Sequence, residues 1–158
     1  MKLMRELLPY VVIIIVVILI RTFLITPVRV SGISMYPTFT GNEVLLLNKV
    51  RTVHRLDIVV IEYNDERQIK RVIGMPGDTI EVRDREILIN GLTLVDEFGV
   101  ELYDSFDPIT LGDNQYFVMG DNRDESKDSR YYGPIYRNEI EGVTTFVIFP
   151  FRNLGRVQ

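Results

Sequence analysis

The 158-residue chain contains no cysteine, which excludes disulfide frameworks, thiolate zinc sites and a thiol nucleophile. It contains no alanine either, so an A-x-A processing site is absent. Positive charge is not in surplus: the formal net charge is −4, and nucleic-acid binding would need a basic stripe. Histidine occurs once, as His54, flanked by arginines in "RTVHRLD", where a solvated turn suits it better than catalysis. The length allows one compact domain plus a short extra element.

What the chain does have is a long apolar run. Residues 7 to 25 read LLPYVVIIIVVILIRTFLI, with Arg21 as the only charge. A membrane span needs roughly 20 predominantly apolar residues, and this run reaches that length if the Arg21 side chain extends to the interface. A buried core element and a cleaved signal peptide are the rival readings. No small-residue cleavage site follows, which favours an uncleaved anchor over residues 1–26. Pro27 is expected to end the helix. Charges flank the run on both sides, Lys2 and Arg5 before it and Arg21 and Arg29 at or after its end, so the positive-inside rule is nearly silent.

Beyond the anchor, short segments rich in β-branched residues alternate with turn signals. They are EVLLLNKV (43–50), DIVVIEY (57–63), QIKRVIG (68–74), DTIEVRD (78–84), EILIN (86–90), QYFVMG (115–120) and GVTTFVIF (142–149). This spacing predicts a mainly β, sheet or barrel-like domain over 27–158. Asn90-Gly91 predicts a tight hairpin. Residues 96–112 read as an acidic, irregular surface excursion. Phe146, Phe149 and Phe151 are candidates for an apolar surface resting on lipid.

Three stretches carry chemistry. In SGISMYPT (31–38), Ser34 stands among bulky residues, where solubility does not explain a hydroxyl. In QIKRVIG, strand alternation sends Gln68, Lys70 and Val72 to one face and Ile69, Arg71 and Ile73 to the other. A lysine on an apolar face loses its proton more easily, because burial disfavours the ammonium form. The third stretch, GDNRDESKDSR (120–130), fails as a calcium loop: Lys127 stands where the turn glycine belongs and no terminal glutamate follows. No metal site and no cofactor are expected.

Taken together and in this order, SGISMYPT, DIVVIEY, KRVIGMPGD and GDNRDESKDSRYYGPI resemble the bacterial type I signal peptidases, membrane-anchored Ser/Lys endopeptidases. The resemblance runs from about residue 7 to 150. It implies that Ser34 is the nucleophile, that Lys70 is the general base, and that Ser126 orients the Lys70 amine. Asp121 would pair with Arg71, and Asp128 with Arg130, as structural bridges. The oxyanion would be met by the Ser34 backbone N–H. A second serine donor of the enterobacterial form is replaced here by Gly32, which leaves a main-chain N–H, a water or Ser31 as candidates for that role. On the family's pattern Val30, Met35, Phe39 and Ile69 line shallow pockets that admit small side chains, giving cleavage at small-x-small sites. The family fold is a β-sheet domain with a small β excursion, here within about 78–112.

The expected partners are exported preproteins and membrane lipid, with the protein monomeric and binding no nucleic acid. The expected location is the bacterial cell membrane, single-pass, with the catalytic domain on the extracytoplasmic side. Three rivals fit less well. A Ser/Lys self-cleaving regulator would carry a DNA-binding helix pair and an Ala-Gly bond. A Ser34–His54 hydrolase would need His54 in a better place. A catalytically silent binding module would lack Ser34 or Lys70.

Overall fold

A computed structural model of the chain describes residues 2–95 and 105–157. The apolar run forms helix α1, Lys2–Phe23, about 33 Å long at 1.5 Å per residue, against a hydrocarbon core of about 30 Å. Its segment Glu6–Phe23 has a mean hydropathy of 2.3, and none of it is buried against the rest of the chain. It is long and apolar enough to cross a membrane. At its C-terminus the open carbonyls find donors: Thr26 Oγ1 donates to Arg21 O at 2.7 Å and Lys49 Nζ to Thr22 O at 3.0 Å.

Pro27 does not end this helix, contrary to the sequence expectation. The helix stops at Phe23, and Pro27 lies inside strand β1, Ile25–Arg29, opposite Leu46. β1 is an edge strand, where a missing N–H leaves no ladder bond broken.

The strands that follow are β2 (Val44–Asn48), β3 (Ile58–Tyr63), β4 (Glu66–Gly74), β5 (Thr79–Arg83), β6 (Glu86–Ile89) and β7 (Leu92–Thr93). Then come β8 (Phe106–Thr110), β9 (Gln115–Met119), the short helix α2 (Ser129–Tyr132), β10 (Ile135–Tyr136), β11 (Ile140–Phe149) and β12 (Gly155–Arg156). The larger sheet has the order β1-β2-β11-β3-β4-β9-β10, with β12 added to β11, and the smaller one β7-β6-β5-β8. Neighbouring strands are antiparallel throughout. The chain is thus mainly β, as its alternating pattern implies.

The smaller sheet corrects one reading. Residues 96–112 were expected to be irregular, yet Phe106–Thr110 is a strand paired with β5; residues 96–104 lie outside the described part. Pro108 and the acidic neighbours disguise this strand, and they are tolerated because β8 is also an edge. β6 and β7 are joined at Asn90 (φ 53°) and Gly91 (φ 79°), the left-handed pair that a two-residue hairpin with the twist of its strands requires.

Among the described residues, three apolar clusters hold the sheets. Ile73, Phe117 and Met119 of the larger sheet meet Ile80, Val82, Ile87 and Ile89 of the smaller. Val59, Ile61, Val72, Val118 and Val143 form a second cluster. Val30, Met35, Phe39, Leu45, Ile58 and Val147 form a third, beneath the segment that carries Ser34, and Ile69 packs against it. Phe149 and Phe151 are exposed and meet edge to face at 5.9 Å, while Phe146 is half-buried.

Candidate active site

β4 changes character along its length. Arg71, Val72 and Gly74 pair with β9, whereas among the described residues Glu66 to Lys70 pair with β3 alone. Beside this half-paired stretch lies a cavity of about 310 Å³. Its walls are Val28–Gly32 after and within β1, Ser34 and Met35 of the following turn, Val60, Glu66–Lys70 and Lys127. Ser34 and Lys70 therefore line one cleft, although 36 positions separate them.

Lys70 is 3% exposed, and its Nζ donates to Ser126 Oγ at 3.0 Å. Burial pushes its pKa below the usual lysine value; Asp128 opposes that shift and Arg130 adds to it. The shift makes the amine easier to deprotonate, the direction a proton acceptor requires. Ser126 is itself 3% exposed, so the contact is shielded from water.

Gly120 is where these parts converge. A Cβ at this position would stand 2.2 Å from Ser126 Oγ and 2.5 Å from the Ser34 carbonyl oxygen. The absence of a side chain is what lets the Ser126 loop and the Ser34 turn approach each other. Asn122 secures the junction: its N–H donates to Ser34 O at 3.0 Å and its Nδ2 to Ile33 O at 3.1 Å.

Behind the cleft stand two ion pairs. Arg71 donates from Nε and Nη2 to Asp121 at 2.8 and 2.7 Å, with the two side chains 1% and 0% exposed. Asp121 also accepts from the Thr38 hydroxyl, which ties the pair to the turn that carries Ser34. Arg130 Nε donates to Asp128 at 2.8 Å, and Arg130 Nη2 reaches the carbonyls of Arg123 (2.6 Å) and Ser126 (3.3 Å). Asp128 caps α2 and accepts from the Gly120 N–H at 2.9 Å. Asp128 and Arg130 thereby fix the backbone on both sides of Ser126.

Of the four expected pocket residues, Val30, Met35 and Ile69 line the cleft. Phe39 does not; it faces a separate cavity together with Thr38, Glu43 and Val147 and supports the cleft floor from below through the Val30–Met35 cluster. His54 stands apart, with its side chain 64% exposed and 3.4 Å from Asp57. Among the described residues no cluster of His, Cys, Asp and Glu fit for a metal ion occurs. Thr38, Asn122 and Gly120 were missed in the sequence, because hydroxyl, amide and glycine in a polar loop look like ordinary turn chemistry.

Comparison with known proteins places this arrangement in context. The family model described as signal peptidase, peptidase S26, matches residues 3–149. Signal peptidase I S of Bacillus subtilis is 37% identical, across 92% of this chain and 89% of its own. Signal peptidase I T of the same organism is 38% identical, across 94% and 86%. A crystal structure of a signal peptidase I from Enterococcus faecalis superposes with a TM-score of 0.55 at 32% identity, covering 60% of this chain and 97% of that one.

Proposed function

The chain belongs to the signal peptidase family, peptidase S26, and from that premise we propose that it removes N-terminal signal peptides from exported preproteins by a Ser34/Lys70 mechanism. One observation carries the reading. Lys70, buried and with its pKa lowered by that burial, shares a cleft with Ser34 and donates to Ser126 Oγ.

In this mechanism Lys70 Nζ takes the Ser34 Oγ proton as Oγ attacks the scissile carbonyl carbon. The carbonyl oxygen becomes an oxyanion, met by the Ser34 N–H and a further donor near Gly32. The Lys70 ammonium then protonates the departing amine, which leaves an acyl ester on Ser34. Lys70, neutral again, deprotonates the water that hydrolyses this ester. Ser126 holds the amine in line for each transfer.

The substrate lies extended along Glu66–Lys70, where β4 has no second partner, and adds a strand there. Val30, Met35 and Ile69 leave room for small side chains only, which gives the small-x-small preference. The test is cleavage of a peptide with one such site by the purified full-length protein, with the cut bond read by mass spectrometry. Cutting elsewhere, or an active Ser34→Ala, would sink the reading.

Ser126→Ala is expected to lower kcat by about 10²-fold, the scale of misplacing a reacting group by about an ångström, with the melting temperature little changed. A wild-type kcat in this variant would mean that another group holds Lys70.

In the membrane, α1 spans the bilayer with the N-terminus inside and residues 27–158 on the outer face, where signal peptides emerge. Lipid is the second partner, met by α1 and by the exposed Phe149 and Phe151. Protease added to intact spheroplasts is expected to degrade the β domain; full protection would reverse the orientation.

A further inference from the structure

Glu43 is a carboxylate only 3% exposed, and its oxygens are met by backbone N–H groups and a hydroxyl. Thr40 N donates at 3.0 and 3.1 Å, Thr40 Oγ1 at 2.7 Å, and the N–H groups of Gly41 and Asn42 at 3.0 Å each. Consecutive N–H groups converging in this way form a concave anion nest. Burial pushes the carboxyl pKa up, but the hydrogen bonds from the Thr40 side chain and from the Thr40 and Asn42 backbone outweigh it and hold it below the usual range. The charge is thus retained, and the three residues before Glu43 are folded over its own side chain.

That turn is pressed against the bend that leads into Ser34. Gly41 has φ +91°, and a Cβ on it would stand 2.8 Å from the Gly32 carbonyl oxygen. Gly32, at φ +84°, is two residues before Ser34. The Glu43 carbonyl also accepts from Val30 N–H at 2.8 Å. Residue 43 therefore grips the chain at 30 by its main chain and braces it at 32 through Gly41. Val30, Ser31, Gly32 and Ser34 itself all line the cleft.

We propose that Glu43 is a positioning residue: its carboxylate shapes the 40–42 turn, Gly41 sets the Gly32 peptide, and that peptide directs the backbone donors that meet the oxyanion at Ser34. The inference rests on Ser34 as the nucleophile. A misdirected donor weakens the transition state more than the bound substrate, so the defect falls on kcat and spares KM. A merely stabilising carboxylate would instead lower the melting temperature and leave kcat alone.

The experiment measures kcat, KM and melting temperature for the full-length protein in detergent, with a signal-peptide substrate. Glu43→Gln keeps the size but turns an NH₂ toward N–H groups. It is expected to lower kcat about 10- to 100-fold, somewhat less than outright loss of an oxyanion donor, with KM within about twofold of wild type. Glu43→Asp, which keeps the charge, recovers part of kcat. Gly41→Ala keeps the Glu43 carboxyl group but strains the turn at its φ of +91° and pushes on the Gly32 carbonyl, so it carries the same kcat signature by a second route if Glu43→Gln fails to fold. Wild-type kcat in Gly41→Ala, or a raised KM with kcat unchanged in either variant, overturns the proposal. Ser34→Ala serves as the reference: if it remains active, the nucleophile assignment fails, a different outcome from an inactive Ser34→Ala beside a fully active Glu43→Gln.

Discussion

Lys70→Arg is expected to be as inactive as Lys70→Ala, each about 10³-fold below wild type, within the range that general bases contribute. Arginine keeps the positive charge and a similar reach, but its guanidinium cannot release its proton near neutrality. The pair of variants therefore separates a base from a charge that only stabilises the oxyanion. His54→Ala is expected to be nearly normal, because the ring is exposed and paired with Asp57. Substantial activity in Lys70→Arg with loss in His54→Ala would replace Lys70 by His54. The pH profile supplies an independent check. Burial lowers the Lys70 pKa, so the rate rises with pH along the acid limb as the ammonium deprotonates. Stability follows the same linkage. Between the folded and the ordinary lysine pKa, the unfolded chain binds more protons than the folded one, so this group's contribution to stability rises with pH there. The penalty is complete below the folded pKa and gone above the ordinary one. Lys70→Ala removes this part of the pH dependence.

Asp121→Asn is expected to cost about 3–5 kcal/mol of folding stability, because it removes the carboxylate charge that faces the buried Arg71 guanidinium. For a chain of this size that lowers the melting temperature by about 10 °C. The exposed pair Arg51–Asp57 gives the contrast: with Arg51 42% exposed, its loss is worth under about 1 kcal/mol. Replacing both partners, as Arg71→Met with Asp121→Leu, is expected to recover much of the stability, since apolar groups of similar volume require no compensation. A melting temperature in Asp121→Asn within about 2 °C of wild type would show that the pair is not an important support. Activity is expected to fall further than stability accounts for, because Asp121 also holds Thr38 in the turn of Ser34.

The sequence was readable where a local rule and the global fold agree. The alternation in QIKRVIG places Lys70 with Val72 and away from Arg71, and the observed surroundings follow it: Val72 enters one apolar cluster, while Ile73 enters another. Asn90-Gly91 turns as a two-residue hairpin because its φ values suit those residues. Reading failed where tertiary position relaxed a local rule. Pro27 and Pro108 look like strand breakers, but both stand on edges where no partner needs their N–H. Long-range convergence was also hidden. Gly120 is crowded by Ser126 and Ser34, 6 and 86 positions away, and no local pattern reports such a contact. Glu43 looked like the polar start of a strand, although its carboxylate folds back on the three residues before it. The ordering of the four sequence boxes conveyed the family and so the candidate site; the spacing within any one of them did not.

The half-paired stretch of β4 has a consequence for the protein at rest. From Glu66 to Lys70 the strand carries its hydrogen-bonding groups on one side without a neighbour from the sheet, and such an edge is a template for any extended chain. A crowded membrane surface supplies many extended chains, including other copies of the same protein. The first two residues of the strand, Glu66 and Arg67, are exposed and oppositely charged, and Lys127 adds a third charge at the rim. An approaching edge must strip water from these groups before it can pair, and it gains nothing for this unless its own side chains fit the small pockets beyond. The charges at this edge therefore work against indiscriminate strand pairing, as charged residues on exposed edges generally do.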